Sequence, residues 1–129
     1  MKGDIKMDIA TMPEVELERY ITKIMLEVGV PAHLKGYHYL REAIMISGKD
    51  METVSSVTKL LYPEIAKRFR TTEQKVERAI RNAIEVSWGR GNMGTFEELF
   101  GYSAESGKNR PTNSEYIARI ADKVRLDLR

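Results

Sequence analysis

The sequence predicts an all-α fold, a compact bundle of about six helices that contains a helix-turn-helix. Apolar residues recur at helical spacing in several separate segments, whereas no segment shows the alternation that is typical of a strand. The chain has 129 residues, which suits one domain with a single core. We expect residues 1–12 to form a flexible tail or the remnant of a linker, and residues 13–129 to form the helical domain.

The composition is that of a soluble globular protein, with 42% hydrophobic and 31% charged residues. The absence of cysteine excludes a disulfide framework and a thiolate metal site. No run approaches the roughly 18 apolar residues that a membrane span needs, and the amino terminus lacks the apolar core of a signal peptide. We therefore expect a cytoplasmic protein with no membrane partner.

The first two helices are bounded by proline and glycine. Pro13 is expected in the first turn of the first helix, where the acidic residues of EVELE suit the positive end of the helix dipole. Gly29 is expected to end this helix. The second helix is predicted over residues 34–46, with its end at Ser47 and Gly48.

A third apolar region, residues 51–61, leads into the sequence YPEIAKRF. Because a residue before proline is biased away from the helical conformation, we expect a break or kink at Tyr62. Three later helices carry a capping-box pattern, and the second of them is short and is expected to end at Gly101. The pattern occurs at Thr71 with Gln74, at Thr95 with Glu98 and at Thr112 with Glu115.

A helix-turn-helix is predicted from the sequence IAKRF to the helix that follows it. Such a motif needs a small residue in its first helix and apolar residues facing it from the second, and Ala66, Val76 and Ile80 have this spacing. The polar turn, residues 70–72, contains no glycine, so a left-handed conformation at Arg70 would cost energy. A turn that avoids this geometry is the alternative.

The predicted second helix of the motif has a basic outer face. Residues 63–91 contain seven basic and four acidic residues, although the net charge of the whole chain is only +2. Val76, Ile80 and Ile84 define the stripe expected to be buried. The residues expected on the outer face and its flanks are Gln74, Lys75, Glu77, Arg78, Arg81, Asn82 and Glu85.

Two interpretations of this face are open from the residues alone. In the first, the helix lies in the DNA major groove, where arginine can bind guanine, asparagine can bind adenine and a carboxylate can accept a hydrogen bond from cytosine. In the second, the Glu77–Arg81 pair stabilises a helix that is merely solvated. The protein would then be a helical protein–protein interaction module without specific DNA binding.

Other motifs in the chain do not support an enzyme or a cofactor site. The G-x-G-x-x-G pattern of residues 89–94 follows a long helix instead of a strand, so a turn at a helix end explains it. His33, His38 and Glu42 do not have the spacing of a metal site. No set of serine, histidine and acid can be placed together. We therefore predict no catalytic residue, no metal and no cofactor.

Several long strings resemble the DNA-binding effector domain of the stage-zero sporulation master response regulator of endospore-forming bacteria. They include GVPAHLKGYHYLREAI, TKLLYPEIAKRF, TTEQKVERAIRNAIEVSW and PTNSEYIARIADKVRL, and the similarity covers roughly residues 17–126. The resemblance implies an all-helical domain that binds a DNA box similar to TGTCGAA and activates or represses transcription. It also implies head-to-tail homodimers on tandem boxes.

The resemblance, together with the predicted turn and outer face, gives a set of DNA-binding residues for double-stranded DNA. Relatives carry arginine and histidine where this chain has Lys75 and Asn82, and lysine lacks the planar fork of arginine. The DNA-binding set is Thr71, Thr72, Gln74, Lys75, Glu77, Arg78, Arg81 and Asn82.

The resemblance implies a second partner, the principal sigma factor of RNA polymerase, which the family contacts through a short helix after the reading helix. For Leu99 and Phe100, a place in the core is the alternative. The matching residues for sigma-factor contact are Met93, Thr95, Phe96, Glu97 and Phe100.

Overall fold

The computed structural model describes residues 11–104, 107 and 109–128, and within these residues the fold is all-α without a strand. This confirms the predicted fold class. A 3₁₀ turn, Val54–Ser56, and a π-helical turn, Val57–Leu61, precede α3. The six α-helices are α1 (Glu14–Glu27), α2 (Lys35–Lys49), α3 (Tyr62–Arg68), α4 (Glu73–Arg90), α5 (Met93–Phe100) and α6 (Asn113–Asp127).

Helix α2 is the centre of the bundle, because α1, α4 and α6 all pack against it. The core is formed by the apolar stripes of these helices and of α3. Its fully buried members include Leu17, Ile21, Leu40, Ile44, Ile65, Ile80, Ile84, Ile117 and Ile120.

The crossing of α2 and α4 is unusually close at Gly36. A Cβ atom added there would lie 2.7 Å from the carbonyl carbon of Ala79 and 2.9 Å from the Cβ of Ala83, and closer still to the carbonyl oxygen of Ala79. Real Cβ atoms essentially never approach other atoms within 3.0 Å. Glycine at this position therefore sets how closely α4 is held against the centre of the fold.

Helix α2 is longer than predicted, since it continues through Ser47 and Gly48 to Lys49. The prediction rested on glycine as a helix terminator, whereas Gly48 is buried within the last turn. Arg125 of α6 donates a hydrogen bond from Nη1 to the Gly48 carbonyl oxygen at 2.9 Å. This contact satisfies a carbonyl group at the helix end, where no intrahelical donor is available.

The predicted break at Tyr62 is also wrong. Tyr62 is helical, with φ −60° and ψ −43°, and the irregular backbone lies earlier, at Ser56, with φ −136° and ψ 54°. The π turn ends with a hydrogen bond from the Tyr62 N–H to the Val57 carbonyl. A proline inside a regular helix removes a hydrogen bond and crowds the preceding turn, so the wider turn accommodates Pro63 without a break.

The expected tail, residues 1–12, lies largely outside the described residues. Of its last two residues, Met12 is partly buried against the core. No described helix combines the length and the apolar character needed to cross a membrane.

Candidate nucleic-acid interface

Helices α3 and α4 form a helix-turn-helix around the small residue Ala66. The two helices pack together, and Ala66, Val76 and Ile80 are all buried, as the spacing predicts. Arg68 of α3 pairs with Glu64, Nε to Oε2 at 3.0 Å, and also with Glu42 of α2. The pair with Glu42 attaches the supporting helix α3 to α2 at the centre of the bundle.

The turn between α3 and α4 adopts the left-handed conformation at Arg70, which the sequence indicates to be energetically costly. Arg70 has φ 53°, in the left-handed region. The Thr71 N–H donates to the Ala66 carbonyl at 2.9 Å, and the Arg70 N–H donates to the Lys67 carbonyl at 3.4 Å. These two hydrogen bonds define a Schellman motif, in which glycine usually occupies the left-handed position. An L-residue costs roughly 1 to 2 kcal/mol there.

Helix α4 begins one residue later than its capping pattern predicts. Thr72, which has an extended backbone, is the N-cap, and its Oγ1 accepts a hydrogen bond from the Lys75 N–H at 3.2 Å. The predicted capping box of Thr71 with Gln74 is therefore wrong. Because Thr71 donates its N–H back to α3, the preceding turn decides which of the two threonines becomes the cap.

The two faces of α4 are divided as predicted. Val76, Ile80 and Ile84 are fully buried. Thr71 and Glu77 are intermediate in exposure, and the other six residues of the predicted DNA-binding set are exposed. Those six are Thr72, Gln74, Lys75, Arg78, Arg81 and Asn82.

Glu77 is held at both its side chain and its backbone. Its carboxylate accepts from Arg81 through two contacts, Nε to Oε2 at 3.2 Å and Nη2 to Oε1 at 3.3 Å. Its carbonyl oxygen accepts from Nδ2 of Asn113, the first residue of α6, at 3.2 Å. The same amide nitrogen donates to the Tyr62 hydroxyl at 2.8 Å, and burial raises the pKa of Tyr62. Asn113 thus connects α6, α3 and α4 behind the exposed face.

An open groove of about 590 Å³ lies beside α4, between the turn of the motif and the start of α2. Four basic side chains line it, namely Lys35, Arg70, Lys75 and Arg78, and no acidic residue is among its described lining. Sequence reasoning did not assign Lys35, Arg70 or Asn113 to the site. Lys35 and Asn113 belong to other helices and share no periodic pattern with α4, whereas the sequence indicates Arg70 only as a residue unfavourable to a left-handed turn.

A known protein family matches most of this chain. The family model is described as "Sporulation initiation factor Spo0A C terminal", and it matches residues 21–124. The chain belongs to the Spo0A C-terminal family. It is therefore a DNA-binding effector domain of a sporulation response regulator, and this family is regulatory rather than enzymatic. The match confirms the resemblance on which the predicted site was based.

The next helix of this Spo0A C-terminal domain, α5, differs from its prediction at its start and on its surface. Its N-cap is Asn92, whose Oδ1 accepts from the Thr95 N–H at 3.0 Å, so the predicted capping box of Thr95 with Glu98 is wrong. Its end at Gly101, with φ 84°, is as predicted. Phe96 is 0% and Phe100 is 8% exposed, which makes both core residues.

An aromatic residue of α4 packs against the buried Phe96. The Phe96 ring meets Trp88 of α4 edge to face, with ring centroids 4.9 Å apart. Phe96 is therefore buried and is not part of an exposed apolar surface, and Phe100 lies in the core, which is the alternative given for it. Met93 is 44% exposed, Glu97 is exposed and Thr95 is intermediate, so these three members of the predicted set contribute to the surface of α5.

The glycine-rich sequence after α4 has a packing role. A Cβ added to Gly91 would lie 2.6 Å from the carbonyl carbon of Val28 and 2.6 Å from Cε2 of Phe96. The Asn92 N–H donates to the Glu27 carbonyl at 3.0 Å across the same junction. Gly91 therefore allows the ends of α1 and α4 to meet. Within the described part of the chain, no group of three or more potential metal ligands is found.

Proposed function

We propose that this Spo0A C-terminal domain recognises a TGTCGAA-like box by placing α4 in the DNA major groove. The observation that carries the proposal is the division of α4, which buries Val76, Ile80 and Ile84 and exposes Lys75, Arg78 and Asn82 on its opposite side. The major groove is about 12 Å wide and admits one α-helix. The family resemblance supplies the sequence of the box.

Arg78 is the residue best suited to reading guanine. It is exposed, and it forms no ion pair with another described residue, so its guanidinium is available for a bidentate contact with O6 and N7. Lys75 can reach guanine or a phosphate as a point charge, and Asn82 can pair with adenine. Thr71, Thr72 and Gln74 lie at the start of α4 and would contact the DNA backbone and adjacent base edges.

Glu77 would accept a hydrogen bond from N4 of cytosine. Although Arg81 already binds both of its oxygens, each carboxylate oxygen has a second lone pair. The pairing also reduces the repulsion between Glu77 and nearby phosphates. Arg81 uses Nε and Nη2 for this pair, which leaves Nη1 for a base or a phosphate of the box.

A second partner is proposed for α5, the principal sigma factor of RNA polymerase. Met93 supports this surface because it is a large apolar side chain with 44% exposure, and Thr95 and Glu97 lie beside it on the same short helix. Binding of Met93→Ala to the purified sigma factor tests the proposal. We expect weaker binding and unchanged DNA affinity, and unchanged sigma-factor binding would remove Met93 from the surface.

We further propose that two domains bind tandem boxes head to tail, as the family resemblance implies. Most of the affinity would come from neutralised phosphates, and base contacts would add the specificity. A duplex with two boxes should then bind two domains with higher affinity per domain than a duplex with one box. Equal affinity per domain on the two duplexes would contradict the tandem arrangement.

The decisive experiment is a titration of labelled duplexes with TGTCGAA and with a scrambled sequence, at several salt concentrations. We expect Arg78→Ala to cost about 1 to 3 kcal/mol on the cognate duplex. Glu77→Ala should instead weaken discrimination at the cytosine. An equal loss by Arg78→Ala on cognate and scrambled DNA would rule out a base-reading role for this residue.

A further inference from the structure

The groove beside α4 is lined by basic side chains and by no described acidic one. Lys35, Arg70, Lys75 and Arg78 line one open concavity of about 590 Å³, and its described lining contains no carboxylate. The grooves on the other side of α4 are different in this respect, because Glu77 lines them together with Arg81. Like charges around one concavity repel each other and favour the entry of an anion.

Among the described residues, the cations of this groove also lack ion-pair partners. None of the four forms a salt bridge with another described residue. Arg68 and Arg81, which lie on the same two helices of the motif, are paired with neighbouring acids. The groove therefore brings together four cations that no described carboxylate neutralises.

Two of these cations come from elements other than α4, and backbone contacts define where each of them starts. Lys35 is the first residue of α2, and it precedes Gly36, where the backbones of α2 and α4 are in close contact. Arg70 has the left-handed conformation in the turn after α3, and hydrogen bonds from Arg70 and Thr71 to α3 close this turn. The backbone positions of both residues are thus fixed relative to the reading helix.

We propose that Lys35 and Arg70 each bind a phosphate of the DNA strand that runs along the edge of α4. The DNA contact surface then extends from the reading helix across the groove to α2. This inference rests on the proposed function, because it requires α4 to lie in the major groove. A phosphate contact carries no sequence information, so both residues should act equally on cognate and on unrelated DNA.

Salt dependence separates such contacts from base reading. Each phosphate of duplex DNA that a cation neutralises releases counterions and adds about 0.9 to the steepness of the plot of log K against log salt concentration.

The variants that test the proposal are Lys35→Gln and Arg70→Gly. Because glycine adopts the left-handed conformation without strain, Arg70→Gly should fold at least as well as the wild-type chain. Arg119→Gln, an exposed position in a groove between α5 and α6, is the charge-matched control.

We expect Lys35→Gln and Arg70→Gly each to lower affinity for cognate and scrambled duplexes by the same factor, roughly fivefold to tenfold at 0.1 M salt. Each should also make the salt slope shallower by about 0.9, whereas Arg119→Gln should change neither quantity. Unchanged slopes for Lys35→Gln and Arg70→Gly, in a wild type that prefers the cognate duplex, would overturn this inference alone. A loss confined to the cognate duplex would also overturn it.

The proposed function fails in a different way. If the wild-type domain binds both duplexes equally, base reading by α4 is refuted. A shallower slope in Lys35→Gln and Arg70→Gly would still support the phosphate surface in that case. If the wild type binds neither duplex, both proposals are refuted.

Discussion

Gly36→Ala should force α4 away from α2, the central helix of the fold. The added Cβ would lie 2.7 Å from the carbonyl carbon of Ala79 and 2.9 Å from the Cβ of Ala83. Carbon atoms in favourable contact are about 3.5 to 4.0 Å apart, so the helices must move apart by roughly 1 Å. The atoms of Ala79 belong to the backbone, and no side-chain rotation can relieve the clash.

The expected loss of stability follows from two opposing terms. Overpacking a close contact costs about 1 to 3 kcal/mol, and a clash with backbone falls at the upper end of this range. Alanine recovers up to about 1 kcal/mol because it favours the helix more than glycine does. We therefore expect Gly36→Ala to lower the free energy of unfolding by about 2 kcal/mol. The melting temperature should fall by roughly 6 to 12 °C for a domain of this size.

Gly89→Ala is the matched control for this substitution. Gly89 also lies within a helix, α4, but nothing is within 4 Å of the position that its Cβ would occupy. This variant should gain about 0.5 to 1 kcal/mol from the better helix propensity of alanine. Urea denaturation followed by circular dichroism measures both changes. If Gly36→Ala were as stable as Gly89→Ala, the close crossing of α2 and α4 would not be required by the fold.

Four further predictions concern buried polar groups and the start of α6. The buried Ser47 hydroxyl has no hydrogen-bond partner among the described residues, so Ser47→Ala should raise the free energy of unfolding by about 1 kcal/mol. Ser87→Ala, which removes two buried hydrogen bonds, should lower it by about 1 to 3 kcal/mol, and equal effects in urea denaturation would contradict this reasoning. Asn113→Ala releases the Glu77 carbonyl, and duplex titrations should show a greater loss on cognate than on scrambled DNA, whereas equal losses would exclude a positioning role. Hydrogen bonds from the backbone and the hydroxyl of Thr112, the N-cap of α6, lower the pKa of Glu115 below 4.5. The ionised Glu115 carboxylate therefore stabilises the fold above that pH, and this stabilisation is lost as the pH falls. Glu115→Gln keeps an acceptor for the capping box, and its stability, measured by denaturation at several pH values, should fall less steeply in acid.

Features that depend on one helix alone were predictable from the sequence. The buried stripe of α4 follows from the spacing of its apolar residues, and the structure buries Val76, Ile80 and Ile84. The capping box of Thr112 with Glu115 is present with both of its hydrogen bonds, and Gly101 ends α5 in the left-handed conformation. In each case the deciding atoms lie within a few residues of one another.

Features that depend on a neighbouring element were not predictable in this way. Thr71 and Thr72 are equivalent as candidate caps, and the choice depends on the left-handed turn at Arg70. Phe96 belongs to an amphipathic pattern in which either a partner or the core could cover it, and its packing against Trp88 and Phe100 decides this. The Asn113 contact with Glu77 joins residues 36 positions apart in the sequence.

The structure bears on why a basic reading helix retains an acidic residue. An exposed pair at the spacing of Glu77 and Arg81 contributes only about 0.2 to 0.5 kcal/mol, so DNA can rearrange it at little cost. Under the proposed docking, an incorrect base opposite Glu77 leaves a carboxylate without a donor in a desolvated groove, which costs about 1 to 3 kcal/mol or more. The penalty for the wrong sequence is thus larger than the stabilisation of the free helix. Under the proposed docking, a carboxylate at this position would contribute mainly by rejecting incorrect boxes, and the hydrogen bond from Asn113 would keep the backbone of Glu77 in the position where this rejection operates.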